Sequence, residues 1–249
     1  AIIREKGTNG EREMAYMLYL AGFDVKDVTM TDLISGRETL EDINMVVYCG
    51  GFSNSDVLGS AKGWAGSFLF NPKAKAALDN FYAREDTLSL GVCNGCQLMM
   101  ELGLITPEDK KKGKMLHNDS HKFESNFLGV TVPMNRSVMF GSLSGSKLGI
   151  WVAHGEGKFS LPYPEDHYNV VLKYSYDEYP GNPNGSDYSV AGIASQDGRH
   201  LAMMPHLERA CFPWENAYYP LDRKDNDQIT PWMEAFVNAR KWVEANRKK

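Results

Sequence analysis

Cys93 is the residue in this sequence that is best placed to do chemistry. It lies between Gly91 and Gly95, directly after the apolar run over residues 88–92 and before a helical pattern that continues to Leu102. A strand, a Gly-x-Cys-x-Gly turn and a helix predict a tight turn that holds the cysteine in a strained, exposed position above a sheet. Free amides and the dipole at a helix N-terminus stabilise a thiolate. We therefore predict that Cys93 is a nucleophile.

Two backbone segments are candidates for binding a developing oxyanion. Asn94 N–H, the next amide after the nucleophile, is the first donor that we predict. Gly50, Gly51 and Phe52 follow a second apolar run over residues 44–49, and glycine backbone can approach a ligand closely. We assign these three residues to substrate binding and predict Gly51 N–H as the second donor. The alternative is an ordinary strand-to-helix turn.

Three other interpretations of Cys93 remain open. Cys93 and Cys96 form a C-x-x-C pair, which is also the pattern of a dithiol redox site. A zinc site needs about four ligands, and the sequence has no second paired motif because Cys49 and Cys211 stand alone. A cysteine between two glycines is a poor core filler, so a purely structural role ranks last. We expect Cys96 to pack inside the helix, and we predict no metal site.

A histidine and a glutamate stand two residues apart where another apolar run ends. His206 and Glu208 follow the run over residues 201–204. In extended backbone, residues i and i+2 point the same way, so Glu208 can hydrogen-bond one imidazole nitrogen while the other faces Cys93. This contact fixes the tautomer and stabilises the imidazolium. We predict that His206 is the base and Glu208 its orienter; the alternative is a harmless surface pair.

A second His-x-Glu motif complicates this assignment. His154, Gly155, Glu156 and Gly157 follow the strand residues 150–153, and spacing alone cannot decide which motif is catalytic. The glycines indicate a loop whose backbone approaches a ligand. We therefore assign His154, Gly155 and Glu156 to substrate binding.

Two weaker signals do not predict a bound ligand. His117 and His121 lie four residues apart in a polar stretch, where solvated side chains are a better interpretation than a metal site. Residues 141–148 look like a phosphate loop, but Ser146 and Leu148 stand where that motif needs Gly and Ser or Thr. No nucleotide or other cofactor is expected in this domain.

The elements that must position these residues follow from the hydrophobic pattern. Strands and helices alternate over the first hundred residues, which implies a parallel sheet covered on both sides. The predicted elements there are strands 1–4, 23–28, 44–49 and 88–92 and helices 11–21, 73–84 and 93–102. Later elements are short, antiparallel or mixed strands over 127–132, 136–140, 149–154, 170–174, 188–195 and 200–204 and a closing helix from Pro231. We predict an α/β fold, a flavodoxin-like three-layer sandwich whose mostly parallel central sheet carries added antiparallel strands.

Composition narrows the classes of function. A formal net charge of −5 argues weakly against nucleic acid, because phosphate-binding surfaces usually carry a basic excess. Four cysteines are too few for a disulfide scaffold in 249 residues. No apolar run approaches the ~20 residues that a bilayer requires, and no signal peptide is visible. We expect one cytoplasmic domain over residues 1–249, with no nucleic-acid or membrane partner.

Three of these motifs occur in the order that a known family shows. Gly50-Gly51, then Gly-x-Cys-x-Gly-x-Gln over residues 91–97, then Pro-His-x-Glu over residues 205–208 resemble the class I, or triad, glutamine amidotransferases. Further motifs resemble the C-terminal glutaminase domain of the phosphoribosylformylglycinamidine synthases, in their large single-chain form. These motifs are Arg4-Glu5-Lys6-Gly7-Thr8-Asn9, Gly50-Gly51-Phe52-Ser53 with Asp56-Val57-Leu58-Gly59, residues 153–157 and 182–186, and Pro231-Trp232-Met233. The resemblance spans nearly the whole chain. A start at Ala1 directly in a predicted strand is expected of part of a longer chain, and a natural protein that lacks a few disordered residues would look the same.

The resemblance implies a function for the motifs. Cys93, His206 and Glu208 would release ammonia from glutamine through a γ-glutamyl thioester, while Gln97 and the loop at 154–156 would hold the amino-acid end of glutamine. The ammonia would pass to a synthetase region of the same or a partner chain. That region would use ATP and Mg to convert formylglycinamide ribonucleotide to its amidine in purine biosynthesis.

Three positions depart from the residues usual in this family, and two rival functions follow from the same fold. The departures are Ser55, Lys122 and Leu207, of which Leu207 can alter the angle between His206 and Glu208. One rival is another cysteine hydrolase on a flavodoxin-like sheet, which would lack a glutamine pocket. The other is a non-catalytic docking module, which the loss of a triad member would favour.

Overall fold

The predicted alternation of strands and helices is confirmed by the computed structural model, which describes residues 1–247. The strands within those residues are β1 (Ile2–Arg4), β2 (Thr8–Asn9), β3 (Asp27–Thr29), β4 (Met45–Tyr48), β5 (Gly50–Gly51), β6 (Leu88–Val92), β7 (Lys114–Leu116), β8 (Glu124–Thr131), β9 (Lys147–His154), β10 (Lys158–Ser160), β11 (Asn169–Tyr174), β12 (Val190–Ala194) and β13 (His200–Met203). The α-helices are α1 (Glu11–Leu20), α2 (Met30–Ser35), α3 (Lys62–Leu69), α4 (Pro72–Ala83), α5 (Asn94–Glu101), α6 (Leu221–Lys224) and α7 (Trp232–Asn246).

One large sheet organises the molecule. Its nine strands lie in the order β3-β1-β4-β6-β13-β12-β11-β8-β9. The first five are parallel, and the other four join antiparallel. Every residue of β4, β6 and β13 is buried, as expected of parallel strands covered on both faces. The predicted α/β fold, with a mostly parallel centre and added antiparallel strands, is confirmed.

The antiparallel half differs from its prediction at one segment. Residues 136–140 contain no strand and instead form a turn that leads into a short 3-10 helix at Gly141–Leu143. Asn135 Oδ1 accepts a hydrogen bond from Ser137 N–H at 2.9 Å, and Ser137 Oγ accepts one from Met139 N–H at 3.2 Å. Asn and Ser side chains that bond nearby backbone compete with strand ladders. The strand prediction is therefore wrong here.

The first half contains short elements that the pattern did not predict. The strand predicted over residues 23–28 begins only at Asp27. Helix α2 has six residues and begins with a capping box, in which Thr29 N–H donates to Asp32 Oδ2 at 2.9 Å. Helix α3 was also not predicted. Elements of this length show too little periodicity to be detected.

The closing helix α7 anchors the antiparallel edge of the sheet. Its buried residues include the predicted Trp232, Phe236, Ala239 and Val243, together with Met233 and Ala235. The indole N–H of Trp232 donates to Gly149 O of β9 at 2.9 Å, and its ring centroid lies 5.8 Å from that of Phe140. Neither α7 nor any other helix within residues 1–247 is long and apolar enough to cross a membrane.

Candidate active site

Three parallel strands bring the candidate residues to one edge of the sheet. β4, β6 and β13 are neighbours that run in the same direction, so their carboxyl ends lie together. Gly50 follows β4, Cys93 follows β6 and His206 follows β13. Ligand sites of parallel sheets form outside the carboxyl ends of the strands. Residues that are distant in the sequence therefore converge on one site.

Cys93 occupies the strained turn that the Gly-x-Cys-x-Gly pattern predicts. Its φ of 53° and ψ of −107° are values that residues with a side chain rarely adopt. A Cβ added to Gly95 would lie 2.1 Å from Tyr48 O, and one added to Gly91 would lie 2.5 Å from Gly95 O. Only glycine at these two positions lets α5 begin directly above β4 and β6.

The Cys93 side chain is less accessible than expected. Its exposed fraction is 5%, and Sγ–H donates toward Ala153 O at 3.5 Å. The prediction of an exposed position is therefore wrong, because the loop at the end of β9 covers the turn. The residue still lines a cavity, from which a substrate can reach the thiol.

His206 and Glu208 touch, but not in extended backbone. Nδ1 of His206 lies 2.7 Å from Oε1 of Glu208, and both side chains are almost fully buried. β13 ends at Met203, and Leu207–Arg209 forms a 3-10 turn. His206 N–H donates to Trp151 O at 2.9 Å, which holds the backbone before the turn. The pair therefore forms through a turn, and the expected extended geometry is wrong.

Gly50 packs against both the cysteine and the histidine. A Cβ on Gly50 would lie 2.8 Å from His206 Cε1 and 3.4 Å from Cys93 Cβ. Because His206 Nδ1 is bonded to Glu208, Nε2 is the nitrogen left for the thiol. Cys93, His206 and Glu208 thus lie in one buried cluster, in the order that nucleophile, base and orienter require.

The charges of this cluster favour an ion pair. Burial by itself lowers the pKa of His206, but the charges of Glu208 and Cys93 outweigh it and raise the pKa to about 9. Burial pushes the pKa of Glu208 upward, and His206, with Arg209, outweighs this effect and holds it below its usual value. The surroundings of His206 therefore favour its imidazolium form. An imidazolium is the counterion that a cysteine thiolate needs.

The other cysteines are enclosed in the core. Cys49, Cys96 and Cys211 are at most 1% exposed, and burial raises the pKa of each thiol. Buried thiols of this kind are inert. Cys96 packs inside α5, which disfavours a dithiol redox pair with Cys93. Within residues 1–247, no three His, Cys, Asp or Glu side chains form a metal-binding cluster.

The Gly50–Gly51 strand is held by a small second sheet. β5 pairs with β2, and the second glycine has a φ of 110°. Phe52 N–H donates to Gly7 O at 2.8 Å, and Ser53 N–H donates to Asn94 Oδ1 at 3.0 Å. These bonds tie the turn both to the start of the chain and to the first residue of α5. The roles of the two oxyanion donors stay predictions.

A cavity of about 460 Å³ lies beside Cys93. Predicted binding residues that line it are Gly51, Phe52, Gln97, His154, Gly155 and Glu156. Gly50 and Asn94 do not line it, because Gly50 packs behind the thiol and Asn94 is fully buried. Most of the predicted binding residues therefore surround one space that a small molecule can occupy.

Hydrogen bonds fix the loop at 154–156 over the cavity. Gln97 Nε2 donates to Glu156 O at 2.8 Å, and Asn118 Nδ2 donates to His154 O at 2.8 Å. Ser60 N–H donates to Glu156 Oε2 at 3.2 Å. The side-chain amide of Gln97 is thus already bonded to the loop, so we expect it to act on a substrate through the loop that it holds.

His154 is chemically unlike His206. Its side chain is buried, and neither ring nitrogen has a hydrogen-bond partner within residues 1–247. Burial, with the charge of His206, lowers its pKa to about 4, so the ring is neutral. A Cβ on Gly157 would lie 2.5 Å from His154 Nδ1, which shows how tightly the loop encloses the ring.

Several lining residues were not identified from the sequence. They are Asp56, Ser60, His117, His121, Lys122, Phe123 and Ala153. Asp56 ends a run of three residues with positive φ, and its Oδ1 is buried with no hydrogen-bond partner in the described chain. Burial, with the charge of Glu156, raises the pKa of Asp56. The polar turn over residues 53–56 was the available signal, but its proximity to the 117–123 segment depends on the fold.

Curated relatives match nearly all of this chain. A probable phosphoribosylformylglycinamidine synthase of Arabidopsis thaliana, named chloroplastic/mitochondrial, is 44% identical over 264 residues, which cover 98% of this chain and 19% of that protein. The phosphoribosylformylglycinamidine synthase of Homo sapiens is 44% identical over 269 residues, which cover 98% of this chain and 20% of that protein. The chain therefore spans about a fifth of the length of these relatives.

Solved structures and a family model agree with these relatives. PurLQS of Thermotoga maritima matches with a TM-score of 0.74 and 27% identity over 97% of both chains. A glutamine amidotransferase of Thermotoga maritima shares the fold, with a TM-score of 0.56 and 16% identity over 98% of this chain and 96% of that chain. The model of the CobB/CobQ-like glutamine amidotransferase domain matches residues 1–243. Because that match covers almost the whole sequence, this chain belongs to the CobB/CobQ-like glutamine amidotransferase family.

Proposed function

We propose that this chain is the glutaminase of a phosphoribosylformylglycinamidine synthase. The observation that carries the proposal is the buried cluster in which Glu208 holds His206 beside Cys93, at the edge of a cavity. The family membership and the 44% identity to two synthases support the same proposal. Ammonia released from glutamine then serves an ATP-dependent synthetase region that makes formylglycinamidine ribonucleotide in purine biosynthesis.

The first half-reaction forms a thioester and releases ammonia. His206 Nε2 accepts the proton of the Cys93 thiol, and the sulfur attacks the side-chain amide carbon of glutamine. The oxyanion that forms is stabilised by Asn94 N–H and Gly51 N–H. The imidazolium then gives its proton to the amide nitrogen, the C–N bond breaks, and ammonia leaves with a γ-glutamyl thioester on the enzyme.

The second half-reaction restores the enzyme. His206 takes a proton from water, the hydroxide attacks the thioester carbon, and the C–S bond breaks to give glutamate and the Cys93 thiolate, which takes that proton back from His206. Glu208 keeps Nδ1 protonated and stabilises the imidazolium in both halves. The raised pKa of His206 serves this role because it favours the imidazolium that gives its proton to the leaving nitrogen.

The cavity has charges of both signs, as an amino-acid zwitterion needs. Asp56 and Glu156 are acidic residues of the lining, and Lys122 is a basic one. In the proposed complex, the carboxylates and the loop at 154–156 bind the α-ammonium of glutamine, and Lys122 binds its α-carboxylate. Gly51 and Phe52 complete the wall beside the reacting amide.

The partner of this chain in the proposal is the synthetase region, on the same or a partner polypeptide. Its support is the length of the relatives, of which this chain spans about a fifth. ATP and Mg belong to that region, and none is assigned to this domain. A single domain over residues 1–249 and a cytoplasmic location stay predictions; the Arabidopsis relative is named chloroplastic/mitochondrial.

The decisive experiment separates the ammonia source from the ammonia consumer. In the complete protein, Cys93→Ala should abolish glutamine-dependent amidation of formylglycinamide ribonucleotide but spare the reaction with added ammonia. Mass spectrometry should show that a diazo-ketone analogue of glutamine labels Cys93 and spares Cys96 and Cys49. Label on another cysteine would refute the nucleophile, and loss of both reactions in Cys93→Ala would refute the division of labour.

Coupling between the two regions provides a second test. Ammonia released without an acceptor is wasted, so we expect the 249-residue chain alone to hydrolyse glutamine slowly. Glutamine hydrolysis would be measured with and without the separately supplied synthetase region, acceptor and ATP. A coupling free energy of ~1–3 kcal/mol corresponds to a rate increase of roughly 5–150-fold. Equal rates would refute the coupling but leave the assignment of Cys93 intact.

Both rival functions make different predictions. A non-catalytic docking module would not be labelled by the glutamine analogue, and the intact triad argues against it. Another cysteine hydrolase would be labelled by general thiol reagents but would not be protected from them by glutamine. Protection of Cys93 by glutamine therefore separates the proposed glutaminase from both rivals.

A further inference from the structure

The opening motif over residues 4–9 has no part in the mechanism above, yet it lies against the site. Gly7 O accepts Phe52 N–H at 2.8 Å, and Lys6 O accepts Asn54 N–H at 2.7 Å. Gly7 has a φ of +91°, and a Cβ there would lie 2.1 Å from Phe52 O. The chain start therefore holds the backbone of the turn that contains Gly51.

The same motif reaches the triad through Arg209. Arg209 Nη2 donates to Asn9 Oδ1 at 3.0 Å, and Arg209 Nε lies 3.6 Å from Glu208 Oε1. A Cβ on Gly10 would lie 3.5 Å from Glu208 Oε1 and 3.6 Å from Arg209 Nη2. The end of β2 and the start of α1 therefore pack directly on the carboxylate that orients His206.

Arg209 is a charge beside a buried carboxylate. The side chain of Glu208 is 2% exposed and that of Arg209 is 32% exposed. The charged and titratable groups that act on Glu208 or are acted on by it are His206, Arg209, Glu215, Cys49 and Cys211. Of these, His206 and Arg209 are the cations, so Arg209 helps to keep the orienter ionised.

We infer that Asn9 and Arg209 are positioning residues, which connect the orienter Glu208 to the turn that supplies the Gly51 donor. One continuous set of contacts then runs from Glu208 through Arg209 and Asn9 to β2, and from β2 across its ladder to β5. Base and oxyanion donor are thereby kept in one relative position. The inference rests on the proposed glutaminase function.

The test measures how fast a diazo-ketone analogue of glutamine alkylates Cys93 in the complete protein, as kinact and KI between pH 5 and pH 10. Arg209→Gln should lower kinact roughly ten- to a hundredfold, because small misplacements of reacting groups cost up to about 10²-fold. KI should not change. Loss of a cation raises the pKa of every neighbouring titratable group. Both apparent pKa values of the kinact profile should therefore shift to higher pH, by roughly half a pH unit.

Two further variants separate the charge from the contact. Arg209→Lys keeps the charge, so its pH profile should match the wild type, and kinact should recover most of the loss. Asn9→Ala removes the contact but no charge, so kinact should fall with no shift of the profile. A purely structural role of Arg209 would not move the profile in any variant.

Arg240→Gln is a matched control. Arg240 is also partly exposed and ion-paired, at 2.7 Å from Glu244, but it lies beside Ala1 and Met45 at the amino-terminal edge of the sheet. Its replacement should leave kinact and the pH profile unchanged. Thermal unfolding of every variant would be recorded in parallel.

The outcomes are distinguishable. Wild-type kinact and profile in Arg209→Gln would overturn the inference, as would a loss confined to KI. If Arg209→Gln does not fold, unchanged kinact in both Arg209→Lys and Asn9→Ala overturns it instead. A wild-type protein whose Cys93 does not react at all would refute the proposed function itself.

Discussion

The chain contains two His-x-Glu motifs with identical spacing, and they have opposite chemistry. In His206–Glu208 the side chains meet at 2.7 Å and the histidine pKa is raised to about 9. In His154–Glu156 the ring has no partner within residues 1–247 and its pKa is lowered to about 4, while Glu156 accepts from Ser60 N–H. One motif is an ion pair, and the other is a neutral ring in a loop.

The difference arises from the backbone that follows each strand. After β13, a 3-10 turn directs both side chains of the motif inward, where burial strengthens their attraction. After β9, Gly155 and Gly157 let the loop close over the ring, and the Glu156 carboxylate accepts a hydrogen bond from Ser60 N–H instead of meeting the ring. Equal spacing therefore gives different contacts because residues i and i+2 share a face only in some backbone conformations.

The largest effect that we expect distinguishes the two histidines. His206→Ala should reduce thioester formation by roughly 10⁶-fold, the order seen when the base of a catalytic triad is removed. Rapid-quench trapping of the γ-glutamyl enzyme measures this step. If His154→Ala is inactive and His206→Ala is active, the two motifs have been assigned in reverse.

A smaller loss is expected at the orienter. Glu208→Gln keeps the size of the side chain but removes the charge that stabilises the imidazolium, so the rate should fall by roughly 10⁴-fold and leave measurable activity. The same thioester assay applies. Glu156→Gln is the matched change in the other motif, and a thioester rate as low as that of Glu208→Gln would contradict the distinction.

His154→Ala should act mainly on binding. The loop at 154–156 lines the cavity and contacts no reacting proton, so KM for glutamine should rise roughly tenfold, which corresponds to about 1.4 kcal/mol, while kcat changes little. Steady-state glutamine hydrolysis in the complete protein gives both constants. A fall in kcat at unchanged KM would show that His154 acts on the chemical step.

The last expected effect is on stability, and its sign differs between the two histidines. The folded pKa of His206, about 9, exceeds its ordinary value of 6.5, so its contribution is complete below pH 6.5 and is lost as pH rises through 9. The folded pKa of His154, about 4, lies below 6.5, so its contribution is present above pH 6.5 and is lost as pH falls toward 4. Both contributions are a few kcal/mol.

Urea unfolding between pH 4 and pH 9.5 tests these signs. His206→Gln should reduce the decline of the unfolding free energy above pH 6.5. His154→Gln should reduce the decline below pH 6.5, to which the buried His200 also contributes because its pKa is likewise lowered to about 4. Arg240→Gln again serves as the control. The same pH dependence in both histidine variants would mean that the two rings share one charge state. It would contradict the distinction between a charged His206 and a neutral His154.

The sequence predicted the strands that are buried on both faces more accurately than the short elements and turns. Strands buried on both faces, such as β6, appear as uninterrupted apolar runs, and its predicted bounds match those of the structure. Residues 136–140 were misjudged because bonds from Asn135 and Ser137 to nearby backbone replaced a ladder. Short helices such as α2 were missed because one and a half turns give little periodicity.

By itself, the sequence determined the chemical groups and the local turns of this protein. Gly91, Cys93 and Gly95 require a strained turn whatever surrounds it, because steric limits on φ and ψ act within a few residues. The tertiary structure alone decided which His-x-Glu motif pairs with the thiol, how deeply the thiol is buried, and that Asp56 and Lys122 share its cavity. Those properties depend on strand order and on the dielectric surroundings of each charge, which arise only when distant segments pack together.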